Sequence, residues 1–214
     1  MCQGVRAGSR DPDNAHGTPA RQSAGQDFGP RNERSIIELM DYRIAVCDSP
    51  LGPLAAEFTS SGALCRLDFL HGSIDAHIAE RSARRDSPVR RDQAVAHELA
   101  LELDEYFAGR LRGFQQVLEL EGTDFQRTVW AALLEIPFGE VTSYGALAAR
   151  LGKPGASRAV GAANGANPVP ILVPCHRVVA ADGGLGGFSA GLHNKRALLD
   201  LEGSLAPLFD RAVS

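Results

Sequence analysis

Three residues with chemical potential stand in a row near the end of the chain. Cys175, His176 and Arg177 close the apolar run of "NPVPILVPCHRVV", residues 167–179, and Glu202 follows one helix length later. A cysteine is nucleophilic only as thiolate, and an unassisted thiol titrates near about 8.5, so the anion needs help at neutral pH. His176 is placed to act as a base and Arg177 as a cation nearby. Glu202 falls at the end of an expected helix, where the partial negative charge penalises an acid by about 0.3–1 kcal/mol, so it needs a partner. A histidine donating a ring N–H would serve and would itself be oriented, which is the logic of a nucleophile–base–orienter relay. The plainer alternative is a buried thiol beside a surface histidine, with Glu202 solvated at a frayed helix end. The prolines weigh against the first half of it, because a stiff approach is a costly way to bury a thiol.

Pro168, Pro170 and Pro174 each lack a backbone donor and bias the preceding residue toward extended geometry. A paired central strand is therefore excluded, and a rigid extended segment delivering Cys175 is expected. "ADGGLGGFSAGL" follows, with four glycines in five positions interrupted by Leu185. It lacks the spacing and setting of a phosphate loop and reads as a mobile or closely approached loop. Leu185 and Phe188 could wall a flat ligand, though packing explains either alone. A last helix over 192–202 is stopped by Gly203.

The elements before the cysteine carry clear punctuation. Thr123 and Gln126 form a capping box ahead of Phe125, Val129, Trp130, Leu133 and Leu134, predicting a helix over 124–136 that Pro137 and Gly139 stop. Ser143 caps a short helix in "SYGALAARLG", and a second starts after Pro154 and breaks at Gly165. Two short helices joined by "GKPGA" read as a helix-turn-helix. Residues 141–196 hold Arg150, Lys153, Arg158, Arg177, Lys195 and Arg196 against the single acid Asp182, in a chain of net charge -4. Nucleic-acid binding would therefore be local.

The first half is different. From Tyr42, three short apolar runs broken by Ser-Pro-Leu-Gly and Ser-Ser-Gly turns predict a small antiparallel sheet. After a polar loop, Val95, Leu99, Leu103 and Phe107 recur every fourth residue, a helix that Gly109 ends. The expected architecture is α+β in two domains. Residues 40–118 form a small antiparallel sheet with a helix, and 119–205 form a mainly helical domain with the helix-turn-helix and the active-site cysteine. Tails are expected at 1–39 and 206–214, the first disordered because it holds almost no large apolar side chain; Met40 is an alternative start. Four cysteines without a Cys-x-x-Cys pair do not read as a disulfide framework and suit a reducing compartment. No run reaches the length of about 18 apolar residues that a membrane helix needs, and no secretory leader is evident. The expectation is a cytoplasmic monomer without membrane contact, metal or cofactor, since histidines and cysteines show no ligand spacing.

"PCHRV" preceded by "NPVPI", within the stretch from about Gly122 to Gly203, resembles the O6-alkylguanine-DNA alkyltransferases, also called methylated-DNA–protein-cysteine methyltransferases. Residues 41–118 match the layout of that family's N-terminal domain. The resemblance implies direct reversal of damage: one irreversible transfer of the alkyl group from O6-alkylguanine, with O4-alkylthymine a second candidate, in double-stranded DNA to Cys175. By the same resemblance, His176 deprotonates Cys175 through a water and Glu202 orients His176. Tyr144 helps turn the nucleotide out and deliver a proton to the departing guanine, and Arg158 fills the gap in the stack. Independently of the resemblance, the small residues Ala159, Gly161, Ala162 and Ala163 around Arg158 would allow the helix to approach DNA closely. The resemblance also makes Asn167 the brace of the cysteine loop. Backbone groups at Cys175 and Val178 read the guanine, the Ser189 amide meets its oxygen, and Phe188 is a wall where many relatives have Tyr. The thiol is expected to sit ionised at the mouth of a cleft for one everted purine. Base extrusion, at a few kcal/mol, is physically required because a side chain cannot reach an alkyl group inside stacked DNA. Three alternatives remain: a non-catalytic alkyl-lesion sensor, which would replace the cysteine; a cysteine hydrolase, which would need an oxyanion hole; and a transcription factor indifferent to Cys175.

Overall fold

The computed structural model describes residues 42–205; the expected tails 1–39 and 206–214 lie outside them. Strands β1 (Tyr42–Cys47), β2 (Leu54–Phe58) and β3 (Leu64–Phe69) are antiparallel neighbours. Helix α1 (Ile74–Arg85) leads to a short strand β4 (Val89–Arg91) that pairs parallel to β1, so the sheet order is β3-β2-β1-β4. The three expected strands thus gain a parallel fourth, and the sheet is mixed rather than purely antiparallel. The expected polar loop contains both new elements. Ser73 caps α1 by accepting from the Ala76 amide, but only Ile74 and Ile78 mark an apolar face in it, and Val89 alone marks β4.

β2 is buried on both faces, and its alternation shows what covers each. Leu54, Ala56 and Phe58 join the main core, whereas Ala55 packs with Ile44, Val89, Ile74 and Ile78 under α1. Glu57 also lies on the α1 side, 1% exposed, and holds that helix through Arg81 (Nε to Oε2, 2.8 Å) and Arg85. A single-turn 3-10 segment (Gln93–Ala96) runs into α2 (His97–Phe107), whose Leu99, Leu103 and Tyr106 are fully buried against the main core.

The second half begins with α3 (Asp124–Leu134), opened by the expected Thr123–Gln126 capping box. Then come β5 (Thr142–Ser143), α4 (Tyr144–Arg150) capped by Ser143, and α5 (Ser157–Gly165), the helix-turn-helix pair. The Trp130 indole N–H donates to the Ala163 carbonyl at 2.8 Å and ties α3 to α5. A 3-10 turn (Cys175–Arg177) leads into β6 (Val178–Val179), and α6 (Leu192–Leu201) ends at Glu202 with Gly203 left-handed behind it. β5 and β6 pair in parallel, Thr142 with Val178 and Ser143 with Val179, which sets the first turn of α4 beside the cysteine turn. One core cluster runs from Leu54 and Leu67 through Leu103 and Tyr106 to Trp130, Val173 and Cys175, so both halves share it.

The segment before the cysteine departs from the extended geometry expected of it. Residues 167–179 are all buried, and Ile171 takes φ 77°, a left-handed turn that a β-branched residue adopts only under strong constraint. The constraint is visible: the Val173 amide donates to the Val169 carbonyl at 2.9 Å, and Asn167 clamps the turn from inside. Three prolines remove donors, and the buried carbonyls that remain find partners in this turn and at the sheet edge, where the Leu67 amide donates to Pro168 at 2.9 Å.

Candidate active site and nucleic-acid interface

Cys175 is 1% exposed and sits on the 3-10 turn with its own amide donating to the Val173 carbonyl at 2.7 Å. Burial pushes its thiol up to about 11; a hydrogen bond from Asn167 and the charge of Lys195 pull the other way without overcoming it. The thiol is therefore protonated at rest, contrary to the ionised sulfur expected from the sequence. Burial is the reason, and Arg177 does not offset it. Arg177 points away from the thiol and forks onto Glu202, Nε to Oε2 and Nη2 to Oε1, each 2.8 Å, while Nη1 donates to the Ile136 carbonyl at 2.6 Å.

His176 is fully buried, with Nε2 3.0 Å from Glu202 Oε1. Burial lowers its pKa, hydrogen bonding and charge from Glu202 raise it, and Arg177 and Lys195 lower it, so the ring is held neutral below its ordinary range. With Glu202 ionised, Nε2 carries the proton and Nδ1 presents a lone pair. Among the described residues two buried side-chain atoms have no hydrogen-bond partner, His176 Nδ1 and Asn164 Oδ1. Both border the cysteine, since Asn164 Nδ2 donates to the Cys175 carbonyl at 3.2 Å.

Glu202 is 6% exposed. Burial would raise its carboxyl, but donors from His176 and Arg177 outweigh that and hold it at about 2. The Gly139 amide (3.3 Å to Oε2) and the Tyr106 hydroxyl (2.7 Å to Oε1) complete its shell. The helix-end carboxylate thus has the partners that the sequence argument demanded.

Lys195, counted in the sequence only as basic charge, is buried to 0% exposure. Its Nζ donates to the Val178 carbonyl at 2.6 Å and the Gly187 carbonyl at 3.2 Å, joining β6 to the glycine loop, and burial draws it down to about 8. Tyr144 is half-buried, its hydroxyl donating to the Gly187 carbonyl at 3.4 Å; burial first, then the nearby Cys175, raises its pKa and keeps it a donor at neutral pH. The glycine loop lies on this ring: a Cβ on Gly186 would come 3.0 Å from Cε2 of Tyr144, so close approach requires glycine there.

Tyr144, Gly145, Ser157, Arg158, Gly161 and Ala180 line an open cleft of about 430 Å3. Arg158, Ala159 and Ala162 are exposed on the outer face of α5, while Val160, Ala163 and Asn164 face the core. Asn167 is separated from those exposed residues: it is buried, with Nδ2 donating to the Val173 carbonyl at 2.8 Å and Oδ1 accepting from the Val169 amide at 3.0 Å. The basic count overstates the cationic surface, because Arg150 is tied to the Ala132 carbonyl and Glu135, and Arg177 and Lys195 are internal.

Two expected substrate contacts are engaged within the protein. The Cys175 carbonyl accepts from the Val178 amide as well as Asn164, and the Val178 carbonyl accepts from Lys195. Ser189 is exposed and lines a second cleft of about 260 Å3 with Asn167 and Pro170, apart from Tyr144, and Phe188 packs partly buried against the main core. Among the described residues no group of three or more His, Cys, Asp or Glu could hold a metal ion, and no helix is long and apolar enough to cross a membrane.

A helix-turn-helix beside a buried cysteine, histidine and glutamate is the arrangement that the resemblance to DNA alkyltransferases implies. A family model described as "6-O-methylguanine DNA methyltransferase, DNA binding domain" matches residues 124–204. The methylated-DNA–protein-cysteine methyltransferase of Mycobacterium leprae is 55% identical over 159 residues, 72% of this chain and 88% of that one. That of Mycobacterium tuberculosis is 46% identical over 182 residues, 80% of this chain and 100% of its own length. The crystal structure of Mycobacterium tuberculosis OGT in complex with DNA is similar at TM-score 0.65 and 43% identity, covering 81% of this chain and 99% of that one. The chain belongs to the methylated-DNA–protein-cysteine methyltransferase family.

Proposed function

We propose that the protein repairs DNA by moving one alkyl group from guanine O6 in duplex DNA to Cys175, irreversibly and once per molecule. The observation that carries this is the buried Cys175 turn, joined through β5 and β6 to a helix-turn-helix that presents Arg158 and Tyr144 at an open cleft. The glycine loop lifts from Tyr144 as the damaged nucleotide enters, and Arg158 occupies its place in the stack. A methyl group on the flipped base meets Sγ. His176 Nδ1 takes the thiol proton through a bridging water, and the imidazolium is balanced by Glu202. Sγ then attacks the alkyl carbon, the carbon–O6 bond breaks with its electron pair on guanine, and Tyr144 supplies the proton that neutralises the departing base.

A resting thiol near 11 suits this order: deprotonation belongs to the reaction and not to the free protein. The thioether product has no leaving group for a second cycle, so the reaction is stoichiometric. We infer that it acts as a monomer in the cytoplasm on double-stranded DNA and without a cofactor; the similarity to a relative solved in complex with DNA supports the choice of partner. Incubation with excess duplex carrying a labelled O6-methylguanine tests this: transfer should stop at one methyl per protein, and continued turnover would contradict it.

A further inference from the structure

The carboxylate of Glu202 accepts from five donor atoms. Oε1 takes Tyr106 (2.7 Å), Arg177 Nη2 (2.8 Å) and His176 Nε2 (3.0 Å), and Oε2 takes Arg177 Nε (2.8 Å) and the Gly139 amide (3.3 Å). A carboxylate offers about four lone-pair sites, so donors on Oε1 compete for density. Four of the five lie in the half of the chain that carries Cys175. Tyr106 does not: it stands on α2, separated from Glu202 by 96 positions in sequence.

Its ring is fully buried, edge-on to Phe107 at 5.3 Å and Phe138 at 6.1 Å and tilted against Phe114 at 5.2 Å. That packing accounts for the ring. The hydroxyl needs one partner when buried, and it takes the same oxygen that accepts the His176 proton. Every donor on Oε1 stabilises the anion and weakens its hold on the imidazole N–H. Donation from Tyr106 therefore limits how far Glu202 can stabilise a protonated His176.

We propose that Tyr106 is a positioning residue of the proton relay, through which the N-terminal half fixes Glu202 Oε1 and tempers the basicity of His176. The proposal rests on the reading of His176 as the base for Cys175. The other charged or titratable groups facing this site are Arg177, Lys195 and the Cys175 thiol, with Arg112 over the Phe138 ring at 5.6 Å. On α2 itself, Glu102 is directed to Gln115 and Gln116, and Glu105 to Arg110. Of these, Arg177 alone also interacts with the Tyr106 hydroxyl, and its two bonds to Glu202 do not depend on that contact.

Tyr106→Phe keeps the ring and leaves the Arg177 fork in place. The test compares it with the parent protein in two readouts from about pH 4 to 9: the rate of Cys175 alkylation by free O6-benzylguanine, and the ring-nitrogen NMR shifts of His176. The acid limb of the rate and the His176 titration should both move to higher pH by about half a unit. In a Glu202→Gln background, Tyr106→Phe should produce no further shift. Superimposable limbs and an unchanged His176 titration, with only a lower melting temperature, would overturn the proposal and leave the hydroxyl a packing feature. Should Tyr106→Phe not fold, 3-fluorotyrosine in place of Tyr106, a stronger donor, should move the titration downward, and no movement would overturn the proposal equally. The NMR readout needs no alkyl transfer, so failure of Cys175 to react would refute the functional reading without touching this one.

Discussion

Glu202→Gln changes one buried atom pair and should make stability markedly less sensitive to acid. In the folded protein the Glu202 carboxyl is held at about 2 against an ordinary 4.5. That gap corresponds to about 3 kcal/mol of stabilisation, and at 6% exposure solvent screening removes little of it. Because the folded-state value is depressed, the unfolded chain binds the proton first as pH falls. The contribution is complete above about pH 4.5 and disappears toward pH 2, with about two-thirds gone at pH 3. The variant lacks this term and instead leaves the buried Arg177 guanidinium without its anion, at a cost of about 3–5 kcal/mol at neutral pH. His176, held neutral by burial, costs both proteins stability as pH drops below about 6.5, and costs the variant more because Glu202 no longer raises its pKa, which offsets part of the Glu202 change. Urea unfolding followed by the fluorescence of Trp130, the single tryptophan, gives the stability of each protein at each pH. The gap between parent and variant should shrink between pH 6 and pH 3, by at most about 2 kcal/mol. A gap that stays constant across that range would refute the assignment of Glu202 as a buried, multiply bonded carboxylate.

Modification of free protein by iodoacetamide at Cys175 should be slow at neutral pH and keep rising toward about pH 11; a plateau near pH 7, read by peptide mass, would mean the thiol is ionised at rest. Gly122→Ala would place a Cβ 2.5 Å from Cη2 of Trp130, so thermal unfolding should show a loss of about 1–3 kcal/mol with a shifted Trp130 emission. Arg158→Ala should slow repair of duplex substrate by about tenfold or more while slowing reaction with free O6-benzylguanine far less, because only the duplex requires extrusion. Equal slowing of both would remove Arg158 from the extrusion step.

What was legible in the sequence was set locally. The Thr123–Gln126 box, the Ser143 cap and the left-handed glycines at 109, 139, 152 and 203 mark their elements because capping chemistry acts within a few residues. The pairing of His176 with Glu202 was also legible, since an acid at a helix C-terminus demands a donor. α1 escaped because it buries little beyond Ile74 and Ile78 and is held instead by Arg81 and Arg85 on Glu57, a long-range ion pair that periodicity does not register. Tyr106 sits where any aromatic core residue could, and its hydroxyl partner lies far along the chain. Lys195 looks solvated on a polar helix face, and only the fold shows that it bridges Val178 and Gly187. Adjacency in sequence points Arg177 at the thiol, yet a 3-10 turn sends neighbouring side chains in different directions, and its fork meets Glu202.

The central claim is that one sulfur, shielded until a nucleotide enters, receives the alkyl group. Reaction with duplex bearing O6-methylguanine, followed by proteolysis and mass mapping, tests it most directly. The account predicts a single added methylene on the peptide that contains Cys175, and none in the Cys175→Ala variant. Methylation at Cys47, at Cys65 or on any other side chain, with Cys175 unmodified, would contradict it.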